Sequence, residues 1–467
     1  MKWIKNIINY LPEVKGPTQK KLEFKEKLKW SLIILVAFFV LSLIPLYGLG
    51  QNALEQFEQL AIIIGASFGS IISLGIGPIV TASIVLQLLN GSGLVKFDLT
   101  SQEGKKNFQG FQKILAVFFV IFEAAIYVFM GGLAPAQTLA PNTFFIMELL
   151  LVFQLTLGGL LIIFMAEVID KWGFGQGISL FILAGVGQQI VIRALSPLSQ
   201  SGNFALFTQE APVGALWTII LGIPAGNTQG AILAISAILA TILVFLFSVY
   251  AQGMKVEIPL SFGKIRGYGI RWPLSFIYTS NIPVILIAAL MANVQLWAKL
   301  LESWGKPVLG TFSGNVPASG LVFWLNAPDL LGNLLTGNFP PVIILQAITY
   351  AFFLIGGSVI FSIFWVQTSG MDARSQADQI LASGLSIPGF RRDPRVLERI
   401  LNRYIFPLTI MGGATVGLLA ATADVLGALS RGTGILLAVM IAYKLYEGIA
   451  RDHMMDMHPG LRKMMGK

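Results

Sequence analysis

The chain has 467 residues, of which 55% are hydrophobic and 12% charged, with a formal net charge of +9. A soluble domain carries about 25% charged residues, so the composition excludes an ordinary soluble protein and describes an all-α polytopic membrane protein. No cysteine is present and both histidines, His453 and His458, lie in the C-terminal tail; disulfides, thiolate chemistry and a histidine-based metal site within the membrane are excluded.

Residues 1–12 are too polar for a cleavable signal peptide. Trp3, Ile4, Ile7, Ile8 and Leu11 share a helical face beside Lys2 and Lys5. That pattern suits a helix in the membrane interface, or one packed on the protein's own inner side.

Hydropathy predicts ten crossings, near 29–48, 76–90, 113–132, 143–168, 176–195, 229–252, 273–297, 341–367, 404–423 and 433–450. Before the second lies a short apolar stretch, about 58–70, that reads as a half-helix. It contains Ile62, Ile63, Ile64, Gly65, Ala66, Ser67, Phe68 and Gly69, and is followed by Gly75, Gly77 and Pro78. Backbone broken at membrane depth is tolerated only inside protein or against a wet cavity, so this segment is expected within a channel or transporter.

All but four of the 32 lysines and arginines fall in the termini and alternate loops; the exceptions are Arg193, Lys299, Lys306 and Arg431. The bias predicts both termini in the cytosol. Two inner loops, 252–272 and 368–403, are long and basic, with Lys264, Arg266 and Arg271 in one and Arg391, Arg392 and Arg395 in the other. Topology determination and anionic lipid explain a few charges; clustered arginines also suit a large acidic partner such as ribosomal RNA. The outer stretches 196–228 and 298–340 suggest no function.

Five predicted spans precede residue 200 and five follow it, dividing the chain into 1–200 and 201–467. An odd number per half forces opposite orientations, the inverted-repeat arrangement. Pro78 in the second span and Pro283 in the seventh mark matching positions.

Ile76 and Val80 share a helical face, as do Ile178 and Ile182. Stiff β-branched side chains can form an apolar collar that excludes water, but the same spacing serves lipid contact or core packing. Thr81, Glu123 and Asn281 are polar groups within spans. Glu123 is costly there unless paired or wetted; it serves either an interhelical hydrogen bond or proton coupling. Phosphate-loop and dinucleotide-binding motifs are absent, and no enzyme is expected.

The stretch Gly75-Ile-Gly-Pro-Ile-Val-Thr-Ala-Ser-Ile-Val-Leu-Gln-Leu-Leu89 resembles the second-helix signature of the SecY family, the large subunits of protein-translocating channels. Val249–Leu260, Tyr278–Val284 and Gly432–Leu437 extend the resemblance along the whole chain, in wording closer to archaeal and eukaryotic members than to bacterial ones. It implies ten helices in two inverted halves, a clamshell around a pore. By motif the pore ring maps to Ile76, Val80, Ile178, Ile182, Ile282 and Leu437, and the plug to about 58–70. The polar cluster of the lateral gate maps to Thr81, Glu123 and Asn281. Eukaryotic members usually carry glutamine at the position of Glu123, which leaves its charge state open.

The resemblance further implies ribosome docking on the basic loops, signal sequences and nascent polypeptides as substrates, and the lipid bilayer as acceptor. It also implies a SecE-type small subunit, a second single-span subunit, a plasma-membrane location and no cofactor. A secondary transporter of small solutes with Glu123 as coupling residue is the rival reading; its weakness is the aliphatic character of the candidate centre.

Overall fold

Helices dominate the computed structural model, which describes residues 12–18, 22–50, 69–91, 94–95, 97, 101–129, 132–136, 139–199, 204–205, 211–262, 269–279, 282–303, 305–313, 316–335, 337, 340–383, 385–386, 393–430 and 432–457. The N-terminal interface helix and most of the predicted half-helix lie outside these residues. So do Asn281, Lys264, Arg266, Arg391 and Arg392.

The first part of the chain forms α1 (Phe24–Ser42), α2 (Gly77–Gly91), α3 (Gln102–Phe129), α4 (Pro141–Trp172) and α5 (Gly177–Leu195). Next come the short apolar α6 (Ala215–Gly222), α7 (Thr228–Gly253), and a hairpin of β1 (Lys255–Phe262) and β2 (Gly269–Ser275). The remainder is α8 (Ile282–Ser303), the two-residue strands β3 (Phe312–Ser313) and β4 (Val316–Pro317), α9 (Gly320–Trp324), α10 (Leu330–Leu335), α11 (Pro341–Thr368), α12 (Ala373–Ala382), β5 (Leu385–Ser386), α13 (Pro394–Val425) and α14 (Gly432–Met457).

Among the described residues, eight helices are long and apolar enough to cross a membrane: α3, α4, α5, α7, α8, α11, α13 and α14. The other two predicted crossings fall short for different reasons. In α1 the first turns carry Lys25, Glu26, Lys27 and Lys29. α2 has 15 residues, about 22 Å at 1.5 Å per residue. Side chains such as Leu32, Val36, Phe39 and Val40 of α1, and Leu239, Leu243, Leu246 and Phe247 of α7, are exposed, as lipid-facing positions of a membrane protein would be.

The predicted seventh crossing begins too early. Residues 273–275 are strand and the helix starts at Ile282. The preceding loop is folded: β1 and β2 pair antiparallel with Val256 opposite Leu274 and Ile258 opposite Trp272, and β5 adds Leu385 and Ser386 to the far end of β1. One face of this sheet, α12 and the first half of α13 bury Ile258, Leu274, Ala377, Ile380, Leu397, Leu401 and Ile405 as a second core. The Tyr278 hydroxyl closes its edge by donating to the Met371 carbonyl at 2.7 Å, and burial, with Asp372 nearby, pushes the phenol up to about 12.

The main core unites α1 to α5, α8, α11, α13 and α14. Helix approach depends on small residues, as is usual where lipid removes the hydrophobic drive. At Gly158 of α4, a Cβ would stand 1.9 Å from the Ile71 carbonyl oxygen; at Gly413 of α13, 2.4 Å from Ser362 Oγ of α11.

Candidate functional site

The site is built around the entry to α2. The backbone runs through turns from Gly69 to Ile76, with positive φ at Gly69 (86°) and Gly75 (54°), conformations glycine adopts without strain. Gly69 and Ser70, the last residues of the predicted half-helix, are turn and bridge here, and the rest of that segment lies outside the described residues. The two pair with the chain after α1: Leu46 N donates to Gly69 O at 2.8 Å and Ile71 N to Ile44 O at 3.0 Å. Pro78 occupies the second position of α2, where its missing N–H leaves nothing unsatisfied.

This entry places Ile76, Gly77, Val80 and Thr81 on the wall of a cavity of about 60 Å³. The other walls are Glu123 and Tyr127 of α3, Ile182 and Val186 of α5, a face of α8 from Ile285 to Leu296, and Thr433, Gly434 and Leu437 of α14. Four of the six residues expected in the ring meet here: Ile76, Val80, Ile182 and Leu437, each no more than 7% exposed. Ile178 and Ile282 are half-buried and pack against the same core, but the described cavity wall does not include them. Both stand in the first turn of their helices, α5 and α8.

The polar corner of the cavity is a relay across three helices. Thr81 Oγ1 lies 3.0 Å from Gly77 O and 3.0 Å from Glu123 Oε1, and accepts from Asn293 Nδ2 at 3.3 Å. One hydroxyl hydrogen serves the two oxygens in turn. Glu123 is 6% exposed. Asn293, on α8, is the residue missed from the sequence: a polar side chain within an apolar span is the signal that singled out Thr81. A second link between α2 and α3 runs from Gln112 Nε2 to Ser83 Oγ, 2.6 Å. Among the described residues no cluster of histidine, aspartate or glutamate could hold a metal ion.

α2 packs against α3 on one side and against α8 and α11 on the other. The contact of α2 with α8 and α11 forms a seam, and α2 and α8 both line the cavity. Of the basic loop residues, Arg271 lies exposed on β2 and pairs with Glu257 of β1 at 2.9 Å. Arg395 is exposed in the first turn of α13, its backbone N–H capped by Asp393 at 2.9 Å.

A bundle of membrane-length helices around an apolar cavity, with one short helix bordering it, defines the class as a multi-pass helical membrane protein with a central site. The family model described as SecY matches residues 70–446, and the one described as the plug domain of Sec61p matches residues 36–69; the chain belongs to the SecY family. It is similar to the protein translocase subunit SecY of Methanothermobacter thermautotrophicus, 46% identical over 98% of each chain, and to that of Pyrococcus horikoshii, 43% identical over 97% of each. Among solved structures it resembles "The structure of a protein conducting channel", with a TM-score of 0.81 and 38% identity over 97% of this chain and 98% of the other. It also resembles "Sec61 in the Canine ribosome-channel complex from the endoplasmic reticulum", with a TM-score of 0.78 and 38% identity over the same shares.

Proposed function

We propose that this chain is the pore-forming subunit of a protein-translocating channel, passing secretory polypeptides across the membrane and releasing apolar segments sideways into lipid. The observation that carries this reading is the chemistry of the central cavity: four bulky aliphatic side chains, from α2 and the turn before it, α5 and α14, backed by a face of α8, with Thr81, Glu123 and Asn293 gathered at one corner. A small-solute carrier needs convergent polar groups at the midplane, which an aliphatic wall does not supply. An apolar constriction tolerates any polypeptide sequence and resists water and ions when empty.

In this reading α1 and α2 complete ten crossings with the eight longer helices, in two inverted halves of residues 1–200 and 201–467. Ile76, Val80, Ile178, Ile182, Ile282 and Leu437 form the ring as the channel works, Ile178 and Ile282 joining it when the helices shift. The segment of about 58–70 is the plug, and Thr81, Glu123 and Asn293, with Asn281 nearby in sequence, bias the lateral gate toward closure. Partitioning of an apolar segment of about 20 residues supplies selection without catalysis. The ribosome docks on the basic inner loops through Lys264, Arg266, Arg391 and their neighbours. A SecE-type subunit and a second single-span subunit brace the halves. The channel lies in the plasma membrane with both termini cytosolic.

Because the natural chain lacks cysteine, one cysteine at Ile182 and one in a ribosome-stalled secretory chain test the reading directly. A disulfide whose position moves along the nascent chain as it lengthens is expected. Absence of any disulfide at every length, with docking verified, removes the central pore and restores the transporter reading.

A further inference from the structure

The inner ends of α3 and α4 are joined by a strap of chain that precedes α1. Residues 12–15 run as non-helical backbone across both helices, and each residue is held. Lys113 Nζ of α3 donates to Pro12 O at 2.6 Å and also pairs with Glu167 of α4. Val14 N donates to the other oxygen of Glu167 at 3.1 Å. From the last turn of α4, Lys171 Nζ reaches Glu13 Oε1 at 2.5 Å and Val14 O at 2.6 Å, while Trp172 Nε1 donates to Lys15 O at 2.9 Å. The Lys113–Glu167 pair is mostly shielded, with side chains 14% and 19% exposed, and Lys113 also lies 5.3 Å from the centre of the Phe164 ring.

Several features distinguish this from incidental surface contact. Four consecutive residues are bonded, Pro12, Val14 and Lys15 through backbone atoms and Glu13 through its carboxylate. Backbone groups of a strap have no helix or sheet to satisfy them, and here four side chains from two helices do so. The same end of α4 packs on α1, Trp30 tilted against Trp172 with ring centres 5.6 Å apart, and Ser31 Oγ accepts from Phe174 N at 2.9 Å. α1, α4 and the strap therefore form one frame. α3 makes extensive contact with α2 and α4, and Lys113 adds to that packing a direct pair with Glu167 and, through Pro12, a tie to the strap.

We propose that the segment Pro12–Lys15 is a latch that ties the inner end of α3 to α4 and so sets how readily the seam of α2 with α8 and α11 parts. The inference rests on the reading of that seam as a gate. α3 carries Glu123 and Gln112, both bonded to α2, so α2 and α3 move as a pair. Holding α3 at its inner end opposes separation of the pair from α8. Releasing the strap removes that restraint without touching the cavity, which makes the latch a natural point of control for whatever engages the N-terminal segment.

The test uses the full chain in nanodiscs with two pairs of spin labels on introduced cysteines. One pair, at the exposed Lys15 and Lys106, reports whether the strap is seated against α3. The other, at the exposed Phe118 of α3 and Leu290 of α8, reports the width of the seam. Lys171→Glu is expected to broaden the first distance and raise the wide-seam population about two- to fivefold; the double variant Lys171→Glu with Glu13→Lys is expected to recover part of both, since a carboxylate at position 171 pairs with residue 13 but cannot donate to Val14 O, and Trp172→Phe to act in the same direction as the single variant. A free strap with an unchanged seam overturns the latch, as does a strap that stays seated in all variants. The gate reading itself is judged separately, by bridging Thr81 to Asn293 and measuring translocation. If bridging blocks translocation while strap release leaves the seam unmoved, the gate stands and the latch fails.

Discussion

Asn293 of α8 donates to Thr81 of α2 across 3.3 Å, so a single polar bond from α8 meets the hydroxyl that also contacts Glu123 of α3. Measured interhelical hydrogen bonds in membranes average about 0.6 kcal/mol. A bond of that size biases a seam; it does not lock it. If that seam is the gate proposed above, closure held by such a margin can be reversed by an apolar segment that prefers lipid.

Covalent bridging should convert this bias into a lock. Cysteines at Thr81 and Asn293, joined by a short reducible methanethiosulfonate linker, are expected to stop translocation of a secretory precursor in proteoliposomes, and reductant to restore it. Asn293→Ala should act oppositely, raising the open population about threefold, the Boltzmann factor for about 0.6 kcal/mol. Full transport through the bridged protein would show that the seam need not part.

The ring positions should differ in effect. Ile182 and Leu437 line the cavity, whereas Ile282 stands at the start of α8. Ile182→Gly or Leu437→Gly is expected to raise resting ion conductance in planar bilayers more than Ile282→Gly does. Equal conductance for all three variants would mean that the described cavity does not set the seal.

Gly158→Ala should be poorly tolerated. The added Cβ would stand 1.9 Å from the Ile71 carbonyl oxygen, a backbone atom that cannot rotate away. Overpacking of this kind costs about 1–3 kcal/mol, read as a fall in thermal unfolding temperature in detergent. Because Ile71 leads into α2, the variant should also raise ion leak; Gly187→Ala, at a glycine with open space around it, should do neither.

The strap should loosen in acid. The hydrogen bond and charge of Lys171 hold the Glu13 carboxyl below its usual 4.5. A carboxyl lowered in the folded state contributes stability above its unfolded value and loses it as pH falls through the folded value. Protease cleavage near residues 12–15 is therefore expected to stay flat from neutrality to about pH 5 and to rise only below 4.5. In Glu13→Gln that acid-dependent rise should be smaller, measured by cleavage rate against pH.

Arg391→Glu is expected to weaken ribosome binding most at low salt, since screening removes the contribution of exposed charges. Cosedimentation across a salt series checks this, and equal binding at every salt concentration would remove Arg391 from the docking surface.

Much of the central site is legible in the sequence because its signals are local. Ile76 and Val80 one turn apart, Pro78 at a helix start and Glu123 within an apolar span each announce themselves without a partner. Asn293 carries the same kind of signal, a polar side chain within an apolar span, but sits in no motif as distinctive as that of Asn281. The hairpin shows a different difficulty. Val256, Ile258, Leu260 and Phe262 alternate as a half-buried strand should, yet the charge around them marks the region as a topogenic loop. Likewise Trp272 to Tyr278 runs smoothly into the apolar α8, and hydropathy does not register where strand gives way to helix. Contacts such as Lys113 with Pro12 and Glu167 join residues far apart in sequence, and no periodicity encodes them.

α13 contains 32 residues, about 48 Å of helix against a hydrocarbon thickness of about 30 Å. Its first turns bury Leu397, Leu401 and Ile405 in the hairpin core, and later ones bury Val416, Ala420 and Ala421 in the membrane core. The helix is thus a shaft common to two compartments, with Pro407 near the point where it passes from one to the other. Because one helix supplies buried side chains to both cores, a partner that grips the hairpin unit holds one end of a helix whose other end is packed in the bundle.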